Sequence, residues 1–413
     1  MALRASAGSC VSALPGVLLL GMENAISLTV LRELGEHGVP VHGVARSARS
    51  IAVASRHCRG WTLRPAGPIA TWLPQMIART GVGAVLAIAE SDLVELAALP
   101  ARIGDCHILA PRLDRLARVL DKRQTLEAAA EAGLLVPQTW QPMAGEDFAA
   151  RVAAMRYPLV AKWANPQAIL PVLEAAGLEW RKTDYLHGPD DLRALLERFA
   201  PIGRWPLIQQ YCGGVGLGQM LYMQDGRATL RFQHRRLHEW PPEGGVSTLC
   251  RAEPAASHAA QMALSEKLLQ AIGWEGQAMV EYRHEPGSGR YWLMEVNGRF
   301  WGSQPLAWHC GAHFAWESYR RSVLGQGDAA PAPRDDLRAR YMVPETKRLA
   351  RILLKPERID DPHFPRRPLA ELGGYLAAFF DPRSRYYVFS ARDPRPWLRD
   401  MGQIVRKAVR RES

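Results

Sequence analysis

The sequence lacks the cysteine pattern of a disulfide-bonded or zinc-binding protein. Its six cysteines are scattered, without a close pair and without a histidine at the spacing of a zinc site. They are Cys10, Cys58, Cys106, Cys212, Cys250 and Cys310. We therefore expect neither a disulfide framework nor a structural metal, and the predicted location is a reducing cytoplasm.

Long hydrophobic runs are also absent, and none approaches the roughly 18 to 20 residues that a membrane-spanning helix needs. The N-terminal stretch MALRASAGSCVSALPGVLLLG imitates a short secretory signal, with an early arginine and an apolar run. It is followed, however, by an amphipathic helical pattern that ends at Gly38 and by a second apolar strand. We therefore predict that Val17–Leu20 is the first strand of a βαβ unit.

The G-x-G-x-x-G fingerprint of dinucleotide-binding domains is missing as well. Apolar strands and helical patterns alternate from Val17 to Leu116, which predicts a doubly wound α/β domain over residues 1–115. Gly21 closes the first strand, but the turn GMENAIS does not have the fingerprint, and no acidic residue closes the second strand. This domain is therefore not expected to bind a dinucleotide.

The chain does have enough apolar sequence for a large core, and its charge is uneven. Its 413 residues are 47% hydrophobic and 23% charged, which predicts two or three domains. The net charge is +11, and from Pro331 to Ser413 there are 19 Arg and Lys against 11 Asp and Glu. Residues 326–413 are therefore predicted to be a basic, mainly helical region. Its basic faces could be merely solvated or could meet a membrane surface or an acidic partner, whereas no motif supports specific nucleic acid binding.

Two lysines stand where a cation is unusual. Asp121 and Gln124 have capping-box spacing, so Lys122 is predicted in the first turn of a helix, where the helix dipole favours an anion. Lys162 lies in the apolar strand YPLVAKWANP, where it either extends its amine to solvent or meets an anion. A phosphate near both lysines would explain their positions.

A broken strand and a charged strand follow. The segment WPLIQQYCGGVGLGQMLYM is interrupted at Gly213 and Gly214, which would let a ligand lie against backbone donors and acceptors. His234 and Arg236 belong to the next strand, in the run QHRR, which could also be only a charged strand edge. The strand break is therefore a candidate ligand contact, and His234 and Arg236 remain open between a site and a charged edge.

The most informative pattern is a hairpin with polar residues on one face. Apolar strands at 277–283 and 291–297 are joined by HEPGSG, which has the residues of a turn. A five-residue loop would place Glu281 opposite Glu295, with Asn297 diagonal to them, whereas a four-residue loop would move Glu281 to the other face. Like charges directly opposite each other destabilise a hairpin. The first register therefore predicts that two carboxylates and an amide oxygen bind Mg²⁺ together with nucleotide phosphates.

In this order the features resemble the ATP-grasp superfamily of ligases, which contains biotin carboxylase, carbamoyl phosphate synthetase large subunits and D-alanine ligases. The features are the helix-start lysine, the strand lysine, the broken strand, and Glu281 with the run MEVNGR. The resemblance implies an ATP-grasp domain at 116–325, with α+β subdomains at 116–204 and 205–325 that clasp ATP. The α/β region before it resembles the domain that precedes the grasp. Within the superfamily the chain looks most like predicted carboxylate-amine ligases.

The resemblance implies roles around the phosphates. Lys122 and Lys162 would contact the phosphates of ATP. Glu281, Glu295 and Asn297 would bind one or two Mg²⁺ between those phosphates, and Mn²⁺ could take the place of Mg²⁺.

It also implies roles around the adenine and the transferred phosphate. His234 would lie near the ribose. Arg299, together with Arg236, would meet the γ-phosphate or the substrate carboxylate, although Arg299 could instead be a counter-ion to Glu295. The backbone that would hold adenine belongs to Gln209, Gln210, Tyr211 and Cys212.

The implied reaction joins a small-molecule carboxylate to an amine. The carboxylate attacks the γ-phosphate, an acylphosphate forms, and the amine displaces phosphate to give an amide and ADP. One alternative is carboxyphosphate chemistry on bicarbonate, although the chain lacks the rest of those large architectures. Another is an ATP-binding sensor or scaffold without turnover. The chain could form a homodimer.

Two stretches depart from the superfamily pattern. The adenine hinge usually has a glutamate, and this chain has Gln209 and Gln210 there. The lid over the triphosphate is usually glycine-rich, whereas WANPQAILPVLEAAGLEWRKT contains only Gly177 and one hydroxyl, that of Thr183. Three tryptophans near the expected substrate pocket would suit a bulky or aromatic substrate; they are Trp240, Trp301 and Trp308.

Overall fold

The computed structural model describes residues 14–242, 245–359, 364 and 367–412, which form two compact units. The first unit comprises the residues up to Ala110, Ala315–Asp328 and the residues from Val388. The second comprises Pro111–Phe314 and Ala329–Tyr387. Cys10 and most of the signal-like N-terminal run lie outside the described residues.

The secondary structure alternates first and then becomes mainly antiparallel. In chain order the strands are β1 Val17–Leu20, β2 Val41–Ala45, β3 Cys58–Leu63, β4 Ala84–Ala87, β5 Arg102–Ile103, β6 Cys106–Ile108, β7 Thr139–Trp140, β8 Leu159–Lys162, β9 Asp184–Leu186, β10 Leu207–Gln210, β11 Val215–Gln224, β12 Arg227–Trp240, β13 Val246–Ala252, β14 Gly276–Glu285, β15 Arg290–Asn297, β16 Arg338–Arg340 and β17 Ser384–Tyr386. The helices are α1 Ala25–Glu36, α2 Ile69–Thr80, α3 Glu90–Ala97, α4 Leu113–Leu120, α5 Lys122–Glu131, α6 Phe148–Ala154, α7 Pro166–Ala175, α8 Pro189–Phe199, α9 Ala259–Ile272, α10 Gln304–His309, α11 Phe314–Ser322, α12 Met342–Leu354, α13 Pro368–Ala377 and α14 Arg395–Glu412.

The first unit is built on a six-stranded sheet in the order β3-β2-β1-β4-β6-β5. Strand β5 runs antiparallel to β6, and the other neighbouring strands are parallel. The sheet grows from β1 first to one side and then to the other, which is the predicted doubly wound arrangement. All four residues of β1 are buried, as expected for a central strand covered on two faces.

Local capping and a long-range ion pair fix helix α1. The side chain of Asn24 accepts hydrogen bonds from the backbone N–H groups of Ile26 and Ser27, while the hydroxyl of Ser27 donates to the Asn24 carbonyl. Later in the same helix, Arg32 Nε lies 3.0 Å from Asp393 Oδ2, and both side chains are almost completely buried. This pair joins α1 to the segment immediately before α14.

The second unit contains two sheets that are mainly antiparallel. The smaller one has the order β7-β10-β8-β9, and the larger one has the order β15-β14-β11-β12-β13-β16-β17. In the large sheet β16 and β17 run parallel to each other, and the other neighbours are antiparallel. The core against the small sheet is mainly aliphatic, and it also contains four buried aromatic side chains, those of Trp140, Trp163, Phe199 and Trp205. The mixed α/β architecture agrees with the fold class predicted from the sequence.

The basic range 326–413 is divided between the two units. It contains helices α12, α13 and α14, as the helical patterns predict, and also the short strands β16 and β17, which extend the large sheet. The predicted boundary at residue 115 falls inside helix α4, which belongs with the second unit.

Candidate active site

The hairpin β14–β15 brings its two glutamates together. Glu281 and Glu295 are direct partners across the strand pair, as expected. Glu285 pairs with Arg290, so the connecting loop has four residues and not the five on which the expectation rested. A register shift between Glu281 and Tyr282 inserts Met294 as an extra residue in β15, and this bulge restores the pairing.

Asn297 joins the two carboxylates. Its Nδ2 atom lies 3.0 Å from Glu281 Oε1 and 3.3 Å from Glu295 Oε1, and it donates to both. The three side chains predicted to bind metal therefore converge on one point. Within the described residues, no group of three or more His, Cys, Asp and Glu side chains could hold a metal ion. Two carboxylates nevertheless suit Mg²⁺, which completes its shell with phosphate and water oxygens. The Asn297 amide turns its nitrogen towards the carboxylates, so its oxygen would reach the same ion after rotation of the amide group.

Lysines from the small-sheet half of the unit surround Glu295. Lys122 is the first residue of α5, after the cap that Asp121 forms with the N–H groups of Arg123 and Gln124, and its Nζ lies 3.9 Å from Glu295 Oε2. Burial by itself would raise the pKa of Glu295, but the charges of Lys122, Lys182, Lys162 and Arg236 outweigh burial and lower the pKa of its carboxyl to about 2. Glu295 is therefore ionised at neutral pH.

Lys162 ends strand β8 and belongs to the same charge cluster. Burial lowers the pKa of Lys162; the carboxylate of Glu295 opposes this shift, and the charges of Lys122, Arg283 and Lys182 add to it. The backbone N–H of Lys122 also donates to the Ala164 carbonyl at 3.1 Å, just beyond β8. An incoming polyanion would relieve the repulsion among these cations.

Glu281 has a different partner, Arg236 on β12. Arg236 Nη2 makes a short ion pair with Glu281 Oε2, and Arg236 Nη1 lies 3.5 Å from Glu239 Oε1. Burial raises the pKa of Glu281; Arg236 opposes this shift, and the charge of Glu295 adds to it. The opposed carboxylates thus have pKa values shifted in opposite directions.

Glu239 links two guanidinium groups. Its Oε2 atom lies 3.1 Å from Arg283 Nη2, while its other oxygen faces Arg236. Burial would raise the pKa of Glu239, but Arg283 and Arg236 outweigh burial and lower it. The glutamate therefore holds two arginines beside the carboxylate pair.

The predicted adenine segment ends β10 and leads into a tight turn. Gln209 is buried and donates to the hydroxyl of Thr139 at 3.1 Å, whereas Gln210 and Tyr211 are half-buried. Cys212 is buried, and burial raises the pKa of its thiol to about 12, so it is no nucleophile. Gly214 has φ +101°, and a Cβ there would lie 2.3 Å from the His284 carbonyl oxygen. Only glycine allows this approach of β11 to β14.

The remaining predicted residues have less access to the cluster. His234 is completely buried, with its ring against Gly218, and burial, with the charge of Arg236, lowers its pKa to about 3. A ribose contact at His234 would require movement of this neutral ring. Arg299 is half-buried just past β15 and donates to the Phe300 carbonyl at 3.1 Å.

Two of the three tryptophans expected near the substrate, Trp301 and Trp240, have protein partners. Trp301 is completely buried and packs edge-on against Phe314, so in this conformation it presents no surface to a substrate. Trp240 lies under the guanidinium of Arg351, 4.3 Å from ring centre to Cζ. Part of the predicted bend after Trp240, residues 243 and 244, lies outside the described residues.

The stretch expected at the lid position contains helix α7 and then an irregular segment. Asn165 caps α7 by accepting a hydrogen bond from the Ala168 N–H at 3.2 Å, and Ile169 and Leu173 are buried in the core. Beyond this helix Lys182 is exposed, and its charge acts on Glu295. The sequence does not mark Lys182 as a site residue, because it lies in an irregular stretch after α7 and its effect on Glu295 depends on the tertiary structure.

Arg283 and Glu239 were also missed. Arg283 is two residues from Glu281, and the two-residue period of a strand could have placed it on the same face. Glu239 is three residues from Arg236 and would lie on the opposite face of a regular strand. Register shifts around His238 bring Glu239 to the face of Arg236, and the sequence carries no signal for them.

No protein-family model and no curated protein matches this sequence. Solved structures do match it over most of its length. The biotin carboxylase domain of 2-oxoglutarate carboxylase from Hydrogenobacter thermophilus, in complex with MgADP, ADP and bicarbonate, is 15% identical, with a TM-score of 0.58 and coverage of 78% of this chain and 73% of that chain. N5-carboxyaminoimidazole synthetase from Staphylococcus aureus, complexed with ADP, is 12% identical, with a TM-score of 0.59 and coverage of 77% and 79%.

A third similar structure is the L-amino acid ligase from Bacillus licheniformis. It is 15% identical, with a TM-score of 0.56 and coverage of 75% of this chain and 74% of that chain. All three proteins are ATP-grasp enzymes. At these identities the likeness concerns the fold, and this chain has the ATP-grasp fold that its sequence resembles.

Proposed function

We propose that this protein is an ATP-dependent, ADP-forming ligase that joins a carboxylate to an amine. The observation that carries the proposal is the convergence of Glu281, Glu295 and Asn297 within a ring of cations. Such an arrangement suits a nucleoside triphosphate with its metal ion, because the carboxylates can bind the metal and the surrounding cations can bind the phosphates. A structural polar cluster would have no use for the surplus of positive charge around it.

The chain's own side chains divide the work of binding. Lys122 and Lys162 would hold phosphate oxygens. Glu281, Glu295 and Asn297 would hold Mg²⁺, or Mn²⁺ in its place, which when bound would neutralise charge on the phosphates. The similar structures that contain ADP or MgADP support this assignment.

The adenine end has its own proposed contacts. The backbone of the segment Gln209–Cys212 would hold adenine, because this segment lies between the two sheets of the unit and leads into the Gly214 turn. His234 is buried beneath Gly218 and would reach the ribose after a movement of its ring. The glutamines in place of the usual hinge glutamate leave the backbone contacts unaffected.

The reaction would proceed in two displacements. A carboxylate oxygen of the first substrate attacks the γ-phosphorus, its new O–P bond forms, and the bond to the β-phosphate oxygen breaks to release ADP. The amine nitrogen then attacks the acyl carbon, the C–O bond to phosphate breaks, and the nitrogen loses a proton. Arg236 and Arg299 would stabilise the negative charge that the phosphoryl oxygens and the departing phosphate carry.

The proposal is tested by measuring ADP and phosphate release with arrays of carboxylates and amines. A ligase releases phosphate only when a cognate carboxylate is present, and forms the amide only when the amine is added. Bicarbonate is included because one similar structure holds it. Release with bicarbonate as the sole carboxyl substrate would favour carboxyphosphate chemistry. ATP binding without release under any combination would favour a sensor or scaffold.

We also propose a reducing cytoplasm as the protein's location. Cys58, Cys106, Cys212, Cys250 and Cys310 are all free thiols. Within the described residues, no helix combines the length and the apolar composition that crossing a bilayer requires. Assembly as a homodimer remains a proposal, which light scattering of the purified protein can test.

A further inference from the structure

Helix α13 turns its apolar side towards solvent. Leu369 is 82% exposed, Leu376 is 51% exposed and Phe380, just after the helix, is 88% exposed. Their spacings of seven and four residues place them in one stripe along the helix. No residue of α13 is buried. Soluble helices ordinarily turn such a stripe inward.

Polar contacts hold the opposite side of α13 against α12 and β16 of the same unit. Glu371 accepts two hydrogen bonds from Arg348, at 2.7 and 3.1 Å. The hydroxyls of Tyr375 and Thr346 lie 2.8 Å apart, and the guanidinium of Arg340 stacks on the Tyr375 ring at 4.7 Å. Rotating the helix to bury its leucines would break all of these contacts, so the outward direction of the stripe is fixed by specific interactions.

Cations flank the exposed stripe. Arg367 directly precedes α13, Arg383 follows Phe380 by three residues, and Lys355 and Arg358 follow α12, which packs against α13. All four are exposed, and none of them forms an ion pair with another described residue. An apolar stripe bordered by exposed cations is complementary to a lipid surface, which has an apolar interior and negatively charged headgroups.

We propose that this α13 surface, formed by Leu369, Leu376 and Phe380 with the flanking Arg367 and Arg383, docks on an anionic lipid bilayer. The leucines and the phenylalanine insert among the acyl chains near the headgroups, and the arginines contact lipid phosphates. A second copy of the chain fits less well. In a two-fold symmetric contact the patch would meet itself, which brings two sets of arginines together. The surface lies outside the proposed active site.

The test is co-sedimentation of the full-length protein with vesicles. We expect binding to phosphatidylcholine vesicles that contain phosphatidylglycerol and much weaker binding to phosphatidylcholine alone. Leu369→Ser and Phe380→Ser should each lower the vesicle partition coefficient roughly tenfold, because each removes apolar surface that would be buried in the bilayer. Arg367→Gln and Arg383→Gln should each weaken it roughly fivefold, and only on anionic vesicles.

Matched controls lie on the first unit. Leu63→Ser removes a 54% exposed leucine from β3, and Arg59→Gln removes an exposed arginine from the same strand. Neither should change vesicle binding, and circular dichroism should report the same fold and Tm for every variant. The proposal is overturned if the protein does not sediment with anionic vesicles, or if the α13 variants bind like the wild type. It is also overturned if light scattering shows that they change the oligomer mass while vesicle binding is unaffected. ADP release assayed without vesicles tests the proposed ligase separately.

Discussion

Glu281 and Glu295 lie directly opposite each other across β14 and β15, with the Asn297 amide bridging them. Two like charges at this position cost stability unless something nearby compensates them. The compensation comes from different directions, because Arg236 pairs with Glu281 and Lys122 lies beside Glu295. Such local conflict between stability and arrangement is expected at a functional site.

Replacing Glu295 by glutamine should abolish turnover while the fold survives. The substitution keeps the shape of the side chain but removes the ionised ligand at the centre of the lysine cluster. We expect ADP release to fall about a thousandfold, the size of effect seen when a preorganised electrostatic group is lost. Circular dichroism should show an unchanged fold. Glu275→Gln, an exposed glutamate one residue before β14, is the matched control and should retain wild-type rates. Activity in Glu295→Gln would refute the metal assignment.

Replacing Arg236 by methionine should move the acid limb of the pH–rate profile to higher pH. Arg236 lowers the pKa of Glu281, which burial has already raised. Without the guanidinium the pKa of Glu281 rises further, so a larger share of this carboxyl is protonated at a given acidic pH and cannot serve as a metal ligand. Rates of ADP formation measured from acid to alkaline pH report the shift.

The control for that profile is on the same strand. Arg227→Met removes an exposed arginine at the start of β12, away from the carboxylates. Its profile should overlay that of the wild type. If Arg236→Met lowers the rate at every pH but leaves the acid limb at the same pH, the role assigned to the ion pair with Glu281 is contradicted.

Replacing Lys182 by alanine should weaken ATP binding without destabilising the fold. This lysine is exposed, and its charge acts on both Glu281 and Glu295. We expect about a tenfold rise in the Kd for ATP, equivalent to about 1.4 kcal/mol, and an unchanged Tm. Titration calorimetry measures the Kd for ATP of the wild type, of Lys182→Ala and of the control Lys267→Ala. Lys267 is an exposed lysine on α9. Equal affinities in all three proteins would exclude Lys182 from the nucleotide site.

Replacing Asp393 by asparagine should destabilise the first unit. Arg32 would keep its buried charge without a counter-ion, which costs about 3–5 kcal/mol of unfolding free energy. Burial would raise the pKa of Asp393, but hydrogen bonds from Arg56, Ser55 and Arg32 lower it. A carboxyl whose folded pKa lies below its unfolded pKa stabilises the fold above the unfolded value and loses this contribution as pH falls through the folded value.

The difference in unfolding free energy between the wild type and Asp393→Asn should therefore be largest at neutral pH and become smaller in acid. Urea unfolding followed by circular dichroism at several pH values measures it. Asp105→Asn, at an exposed turn between β5 and β6, is the control and should change little. A difference that stays constant with pH would mean that Asp393 contributes through its shape and not through its charge.

The hairpin shows how a sequence prediction can reach the right pairing by a wrong route. Turn residues and alternation gave the two strands, and the expected Glu281–Glu295 pairing is present. The loop length was wrong, because Gly289 with φ +67° closes a four-residue loop. The bulge at Met294 compensates for the missing residue. Bulges depend on the packing and twist of neighbouring strands, and single-strand periodicity does not contain that information.

By itself, the sequence determined the features that depend on local pattern. Buried apolar runs gave β1 and the doubly wound sheet, the capping side chain of Asp121 set the start of α5 and the position of Lys122, and the ordered motifs gave the ATP-grasp fold. Tertiary structure alone decided which distant charges meet. Lys182 acts on Glu295 from beyond α7, Glu239 reaches the face of Arg236 through register shifts, and α13 faces outward because Arg348 holds Glu371. Each of these depends on side chains far apart in the chain, and periodicity along one segment carries no record of them.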